Sequence, residues 1–132
     1  MSGERDLDVL LSSMNPARRP GTYVFVSVPV DEADGIRAAA TVVEDEGVTV
    51  VVTKAQADDR GWHYDFEAAW ITLRVHSALD AVGLTAAVST RLAEAGISCN
   101  VIAGFHHDHL LVPVEKADLA LAALVATPRN PA

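Results

Sequence analysis

The residues best suited to bind a ligand lie between a strand-like run and a helix-like run. Ser77 and Asp80 precede Gly83 in this segment. Ser and Asp side chains accept hydrogen bonds from the free N–H groups of a helix N-terminus, and the same N–H groups attract a carboxylate. Gly83 would let a ligand approach the backbone closely. The pattern therefore fits a helix cap and a small-ligand loop about equally, and the two are compatible.

A second group with chemical potential is the run His106-His107-Asp108-His109. His and Asp are common metal ligands. On a strand, however, His107 and His109 face one way while His106 and Asp108 face the other, so at most two of these side chains converge. We therefore favour a polar entrance to a strand. A small metal-binding protein that uses this cluster is kept as an alternative.

The single cysteine, Cys99, lies in a strand-like run between Ser98 and Asn100, with no basic residue beside it. Catalytic cysteines usually occupy an electropositive, partly open environment. Cys99 is therefore predicted to be a buried structural thiol. Common nucleotide-binding, hydrolase and zinc-protease motifs are also absent from the sequence. Nothing in the residues requires an enzyme, and we predict none.

The composition is that of a folded, acidic chain. Half of the 132 residues are hydrophobic, and the formal net charge is −8. This charge disfavours binding to a nucleic-acid backbone or to an anionic membrane surface. No apolar run approaches the roughly 18 residues that a membrane-spanning helix needs. We expect no signal peptide, because the first residues do not place an apolar segment behind a basic start. We expect a cytoplasmic protein with no nucleic-acid or membrane partner.

The first half is predicted to contain a helix (6–14), a turn (18–21), a strand (22–30), a hairpin (36–53) and a polar segment with a short helical turn (55–65). The hairpin depends on its β-branched residues, which flank the acidic turn Glu44-Asp45-Glu46-Gly47. A helix over residues 33–46 is the alternative.

The second half is predicted to follow the order strand, helix, hairpin, helix. Alternating apolar residues predict a strand from Trp70 onward, and apolar residues four, four and three apart predict a helix from Leu84 that Gly96 caps. Residues 98–104 and 106–112 should pair as a hairpin. The final amphipathic helix covers residues 116–127 and carries the large apolar residues Leu119, Leu121, Leu124 and Val125. The order βαββα is most of a ferredoxin-like βαββαβ unit.

The segment from Trp70 to Pro113 resembles the ACT domain superfamily. The resemblance is carried by residues 79–84, 92–98 and 105–113. Residues 100–113 are similar to small bacterial tandem-ACT proteins of uncharacterised function, which are related to the ACT modules of CASTOR-type arginine sensors. In the first half, residues 44–49 resemble the hairpin of a divergent ACT-like unit.

The resemblance implies an α+β fold of ferredoxin-like ACT βαββαβ units in tandem, with an antiparallel sheet and helices on one face. The divergent ACT-like unit would cover residues 1–65 and the ACT domain residues 66–132. Two differences from the family pattern are expected. The second unit lacks its last β-strand, and no catalytic domain is attached for the module to regulate.

The resemblance also implies a non-catalytic regulatory protein that binds a small molecule, commonly an amino acid, between paired ACT units. Carried over by position, the ligand-binding residues are Ser77, Asp80, Val82, Gly83, Leu84, Cys99, Asn100, Val101, Ile102 and Asp108. Asp80 or Asp108 would meet the ligand's ammonium group, and the N–H groups near Gly83 would meet its carboxylate. No metal and no cofactor is expected.

Because ACT units pair, the resemblance implies a homo-oligomer, a dimer or larger. A protein-interaction module with a vestigial ligand site is the alternative function. The variant Gly83→Val is predicted to block ligand entry while leaving the fold largely intact.

Overall fold

The computed structural model describes residues 14–74 and 83–125. The chain divides into two compact units. Pro20–Ala68 forms the first, here called the mid-chain unit, and Met1–Arg19 together with Ala69–Ala132 forms the second, here called the split unit. The predicted helix over residues 6–14 lies outside the described residues except for Met14, which is buried.

In chain order, the described elements are β1 (Pro16–Val28), β2 (Ala40–Glu44), β3 (Gly47–Thr53), α1 (Lys54–Arg60), β4 (Glu67–Leu73), α2 (Leu84–Glu94), β5 (Asn100–Ala103), β6 (Asp108–Pro113) and α3 (Ala117–Val125). Short 3₁₀ turns occupy Val30–Glu32 and Val114–Lys116. This content confirms the predicted α+β class. No described helix has the length and apolar character needed to cross a membrane.

In the mid-chain unit, the strands follow the order β2-β3-β1. Both pairings are antiparallel, and the hairpin predicted for residues 36–53 is confirmed over the helical alternative. β-branched residues disfavour a helix and suit a pleated strand. Alternate valines of β1 and β3 point to one side, where they form a core with Ala57 of α1: Val24, Val26, Val28, Val48, Val50 and Val52.

The short helix α1 follows β3 directly and has well-formed ends. Thr53 and Gln56 form a capping box, in which each side chain accepts a hydrogen bond from the other's backbone N–H. Gly61 ends the helix in the left-handed conformation, with φ of +66°. Both features follow from residue type alone, and the helical turn predicted before Gly61 is confirmed.

The predicted turn at residues 18–21 is wrong, because β1 runs without interruption from Pro16 to Val28. Pro20 and Gly21 are strong turn formers. Here Gly21 takes a φ of +97° inside the strand, and pairing with neighbouring strands overrides the local preference. These two residues lie where the strand passes from the split unit into the mid-chain unit.

In the split unit, β4, β6 and β5 are neighbours in that order, and β1 lies on the other side of β4. Residues 16–19 are the part of β1 that belongs to this unit. Just before them, the Met14 carbonyl accepts a hydrogen bond from the Arg74 N–H at 3.1 Å. In a βαββαβ unit, the last strand pairs beside the first. The start of β1 thus occupies the place that the last strand takes in such a unit.

The core of the split unit lies between this sheet and the helices α2 and α3. The sheet contributes Ala69, Ile71, Leu73, Leu110 and Val112, and the helices contribute Leu84, Val88, Leu92, Ala117, Ala120 and Leu124. The predicted stripe of α2 is therefore confirmed at Leu84, Val88 and Leu92, whereas its fourth predicted residue, Ala95, is exposed at the end of the helix. Gly96, with φ of +74°, ends that helix as predicted.

The prediction for α3 is only partly correct. Its buried residues are Ala117, Ala120 and Leu124, which are three and four positions apart and form one helical stripe. Leu119 and Val125 lie off this stripe, and they are 61% and 63% exposed. Large apolar side chains suggested the buried face, but small alanines occupy most of it.

Candidate functional site

The loop predicted to bind a ligand is described only from Gly83 onward, so Ser77, Asp80 and Val82 lie outside the described residues. Gly83 caps α2 with φ of +112° and ψ of −37°, and its carbonyl accepts the first helical hydrogen bond, from the Ala87 N–H at 2.8 Å. Leu84 is buried in the core. It therefore anchors the first turn of α2 and does not offer its side chain to a surface ligand.

The conformation of Gly83 changes what its substitution can test. A φ of +112° is readily adopted only by glycine, and a β-branched side chain there would be strained. Gly83→Val would therefore disturb the start of α2 as well as fill space beside it. The expectation that this variant leaves the fold largely intact does not agree with the backbone, and a different variant is needed to test the site.

The four candidate residues of the β5 segment point to two different sides of the sheet. Cys99 and Val101 are half-buried against the core of the split unit. Asn100 is exposed, and Ile102 lies opposite His109 of β6. Because side chains alternate along a strand, these four residues do not line one common site.

Connectivity separates these candidates further. The 11 residues of α2 span about 16 Å, so the chain enters β5 at the opposite end of the helix from Gly83. β5 then carries the chain back, and the turn between β5 and β6 returns to the end where α2 begins. Asp108 starts β6 at this end, opposite Ala103. Asp108 therefore lies at the same end of the split unit as Gly83, and Cys99 and Asn100 lie toward the other end.

Asp108 also lies on the side of the sheet that faces α2. It is half-buried and has the same strand parity as Leu110 and Val112, which face the core beneath α2 and α3. A carboxylate and the start of a helix thus share one end and one face of the split unit. One group can accept hydrogen bonds from an ammonium, and the other can donate to a carboxylate.

Burial raises the pKa of the Cys99 thiol from 9.0 to about 11. Desolvation disfavours the charged thiolate, and a protonated thiol is a poor nucleophile. This agrees with the prediction of a structural thiol.

We expect Cys99 to react slowly with a disulfide reagent such as DTNB. With a pKa of about 11, only about one thiol in a thousand is ionised at pH 8. The rate should be at least about tenfold below that of the same protein unfolded in urea, where the thiol regains its ordinary pKa. Equal rates in the folded and unfolded protein would show that Cys99 is open and ionisable.

A polar cluster that sequence reasoning missed lies on the opposite side of the sheet. Trp70 Nε1 is 3.2 Å from both Thr72 Oγ1 and His109 Nδ1, and the latter two atoms are 3.0 Å apart. The Arg19 guanidinium lies 4.2 Å from the centre of the Trp70 ring. Because Trp70 and Thr72 alternate with the apolar Ile71 and Leu73, the sequence could have predicted that Trp70 and Thr72 share one face of the strand. It could not have shown that His109 and Arg19 join them.

Within residues 14–74 and 83–125, no three His, Cys, Asp or Glu side chains are arranged to hold a metal ion. His109 turns toward Trp70 and Thr72, whereas the exposed His106 packs edge-on against Phe105 with ring centres 5.0 Å apart. The metal-binding alternative therefore has no supporting geometry in the part of the chain that the structure describes.

Two sequence profiles of the ACT domain match the chain in tandem, one over residues 2–69 and the other over residues 65–126. The chain belongs to the ACT domain family. The resemblance predicted from residues 70–113 is confirmed, and it extends to the divergent first half. A comparison with curated proteins found no match.

Several solved structures share the fold of this chain. A Vibrio cholerae protein of unknown function, named as a possible transport protein, is 46% identical, with a TM-score of 0.86 over 98% of this chain and 100% of its own. A protein from Agrobacterium tumefaciens is 21% identical, with a TM-score of 0.68 over 83% of this chain and 84% of its own.

The ligand-free regulatory subunit of aspartate kinase from Thermus thermophilus is 12% identical, with a TM-score of 0.65 over 90% of this chain and 99% of its own. At this identity the likeness concerns the fold. It confirms the predicted tandem ferredoxin-like architecture.

Proposed function

We propose that this ACT protein is a non-catalytic regulatory protein that binds a small molecule, most simply an amino acid. The observation that carries the proposal is the tandem match to ACT domains, which are regulatory modules, over residues 2–126. The shared fold with a regulatory subunit of aspartate kinase supports it. We also propose that the protein acts in the cytoplasm, and that its ACT-like units correspond to residues 1–65 and 66–132.

The ligand chemistry follows from the end of the split unit where α2 begins. An amino acid carries a carboxylate and an ammonium group a few ångströms apart. The free N–H groups of the first turn after Gly83 suit the carboxylate, and the Asp108 carboxylate suits the ammonium. Ser77, Asp80 and Val82 would extend this site from the preceding loop. Ile102 and Asn100 would take part only through a larger ligand.

We propose that the active form is a homo-oligomer, a dimer or larger, in which a second copy completes the ligand site. ACT units commonly bind ligands where two units pair. In the split unit, the described candidate groups come from the start of one helix and the start of one strand, and so few groups would bury only part of a ligand. Small-molecule sites usually bury most of the ligand surface.

Thermal-shift measurements with each proteinogenic amino acid test the proposed function. A ligand present at about 100 times its Kd stabilises a protein by about 2.7 kcal/mol, which for a chain of this size raises Tm by several degrees. A shift with one or a few amino acids supports the proposal. No shift with any of them at millimolar concentration would contradict amino-acid binding.

The variant Asp108→Asn should weaken binding of the amino acid found in that panel by about 10- to 100-fold. The change removes a charged hydrogen bond worth about 1.5–3 kcal/mol, measurable by isothermal titration calorimetry. Asp118→Asn is the matched control, because Asp118 is exposed on α3 and should leave affinity unchanged. Equal affinity in the two variants would place the ammonium group elsewhere.

The alternative, a protein-interaction module with a vestigial ligand site, is favoured by one observation. β2 lies at the end of the strand order in the mid-chain unit, and its Val42 and Val43 are 53% and 77% exposed. Free edge strands can pair with strands of another chain. A negative amino-acid panel, together with a partner whose binding is lost in Val43→Lys, would place this alternative first.

A further inference from the structure

His109 of β6 links its own strand to two other parts of the split unit. Its ring contacts Trp70 and Thr72 of β4, and it also lies beside the turn that links β5 to β6. The centres of the His109 and Trp70 rings are 5.2 Å apart, and Trp70 is only 2% exposed. The protonation state of the His109 ring therefore affects both the buried Trp70 and the β5–β6 hairpin.

The hydrogen bonds of the cluster favour the neutral form of His109. An indole N–H can only donate, and Trp70 Nε1 lies 3.2 Å from both His109 Nδ1 and Thr72 Oγ1. A neutral ring with its hydrogen on Nε2 leaves Nδ1 free to accept in this cluster. Protonation would place a second N–H on Nδ1, pointing at the indole N–H. Thr72 Oγ1 could accept that new hydrogen only after its own hydroxyl turned away.

The charged groups around His109 also oppose protonation. Arg19 approaches from β1 and His107 from the hairpin, and both favour the neutral ring, whereas Asp108 favours the charged one. β4 contributes the uncharged Trp70 and Thr72 to this surface, and β5 contains no titratable residue. Protonated His109 would therefore have two basic neighbours, Arg19 and His107, and one acidic neighbour, Asp108. Burial lowers the pKa of His109 below its ordinary 6.5, and Arg19 lowers it further.

The β5–β6 turn is packed tightly against the same ring. Gly104 donates a hydrogen bond from its N–H to the His107 carbonyl at 2.9 Å. A methyl group on Gly104 would lie 2.7 Å from that carbonyl oxygen and 3.1 Å from His109 Nε2. The backbone of the turn at Gly104 is therefore close to the imidazole of His109. β5 has four residues and ends the strand order, so few hydrogen bonds hold the hairpin.

We propose that His109 is a pH-sensitive switch whose protonation loosens the β5–β6 hairpin. At neutral pH the ring accepts a hydrogen bond from the Trp70 N–H and packs beside the turn at Gly104. In mild acid the charged ring opposes both Trp70 and Arg19, and it moves away from them together with the turn. The stabilisation by neutral His109 is complete above pH 6.5, and it is lost as the pH falls from there through the lowered pKa of the folded state.

The test follows two signals from about pH 8 to about pH 5. In the Trp62→Phe background, Trp70 is the only tryptophan, and its fluorescence reports the cluster. Hydrogen exchange of residues 100–113, corrected for intrinsic rates, reports the hairpin. We expect both to change together below pH 6.5. His109→Gln should abolish both changes, because the glutamine oxygen accepts the Trp70 N–H without titrating.

Two further variants test whether the neighbouring bases oppose protonation of His109. In Arg19→Gln and in His107→Gln, the transition should persist with its midpoint moved to higher pH, because a neighbouring base has been removed. The proposal would be overturned if His109→Gln showed the same pH dependence of Trp70 fluorescence as the parent protein. It would also be overturned if Trp70 fluorescence changed with pH while hydrogen exchange of residues 100–113 did not become faster. If His109→Gln does not fold, an unchanged midpoint in Arg19→Gln is sufficient to overturn it. All of these measurements use the protein alone, so they are independent of the proposed ligand.

Discussion

Replacing Leu124 with alanine should lower the free energy of unfolding by about 2–5 kcal/mol. Leu124 is fully buried on α3, in the core that this helix shares with β4, β6 and α2. Truncation removes favourable burial and leaves a cavity that the surrounding sheet and helices cannot fill. Urea unfolding, followed by far-ultraviolet circular dichroism, measures the change.

Leu119→Ala is the matched control for this prediction, because it makes the same substitution on the same helix. Leu119 is 61% exposed, so its truncation should change the stability by no more than about 0.5 kcal/mol. A larger loss for Leu119→Ala than for Leu124→Ala would mean that α3 presents the opposite face to the core. The pair therefore tests directly the difference between the sequence-based view of α3 and the structure.

Replacing Gly47 with alanine should cost at least about 2 kcal/mol, since two unfavourable effects combine. Gly47 has a φ of +152°, which residues with a side chain rarely adopt. The added methyl group would also lie 2.8 Å from the Val28 carbonyl oxygen and 3.3 Å from Ser27 Oγ. Val28 pairs with Val48 across β1 and β3, so the backbone cannot withdraw without breaking the sheet.

Gly35→Ala separates the two effects. Gly35 has a φ of +84°, but no atom lies within 4 Å of the position that its methyl group would take. This variant should show the conformational cost alone, about 1 kcal/mol. Equal losses in Gly35→Ala and Gly47→Ala, measured by urea unfolding, would contradict the close approach of β1 to the start of β3.

Much of the fold could be predicted because its signals are local. The β-branched residues on both sides of the acidic turn specify the hairpin of β2 and β3, since they fit a strand better than a helix. The spacing of Leu84, Val88 and Leu92 specifies the buried face of α2, and Gly96 specifies its end. Each of these features depends on residues within about ten positions of one another.

The candidate site could be predicted only in part, because residues close in sequence need not share a face. Asp108 and Gly83 lie at the same end of the split unit, as a common ligand would require. Cys99 and Asn100 do not, because α2 separates them from Gly83 by its full length. Connectivity decides this separation, and no local pattern in residues 99–102 reveals it.

The sequence by itself determined the α+β class, the hairpin of β2 and β3 and the ends of α1 and α2, because all of these depend on residue type and short-range spacing. It also indicated the ACT family, through the resemblance of residues 79–84, 92–98 and 105–113. Tertiary structure alone decided which face of α3 is buried, because Ala117, Ala120 and Leu124 pack against the sheet and α2, whereas Leu119 stays exposed. It also decided that β1 continues without interruption through Pro20 and Gly21, because pairing with neighbouring strands outweighs a turn preference. Finally, it brought Arg19, Trp70, Thr72 and His109 together from three strands, which no single stretch of sequence could indicate.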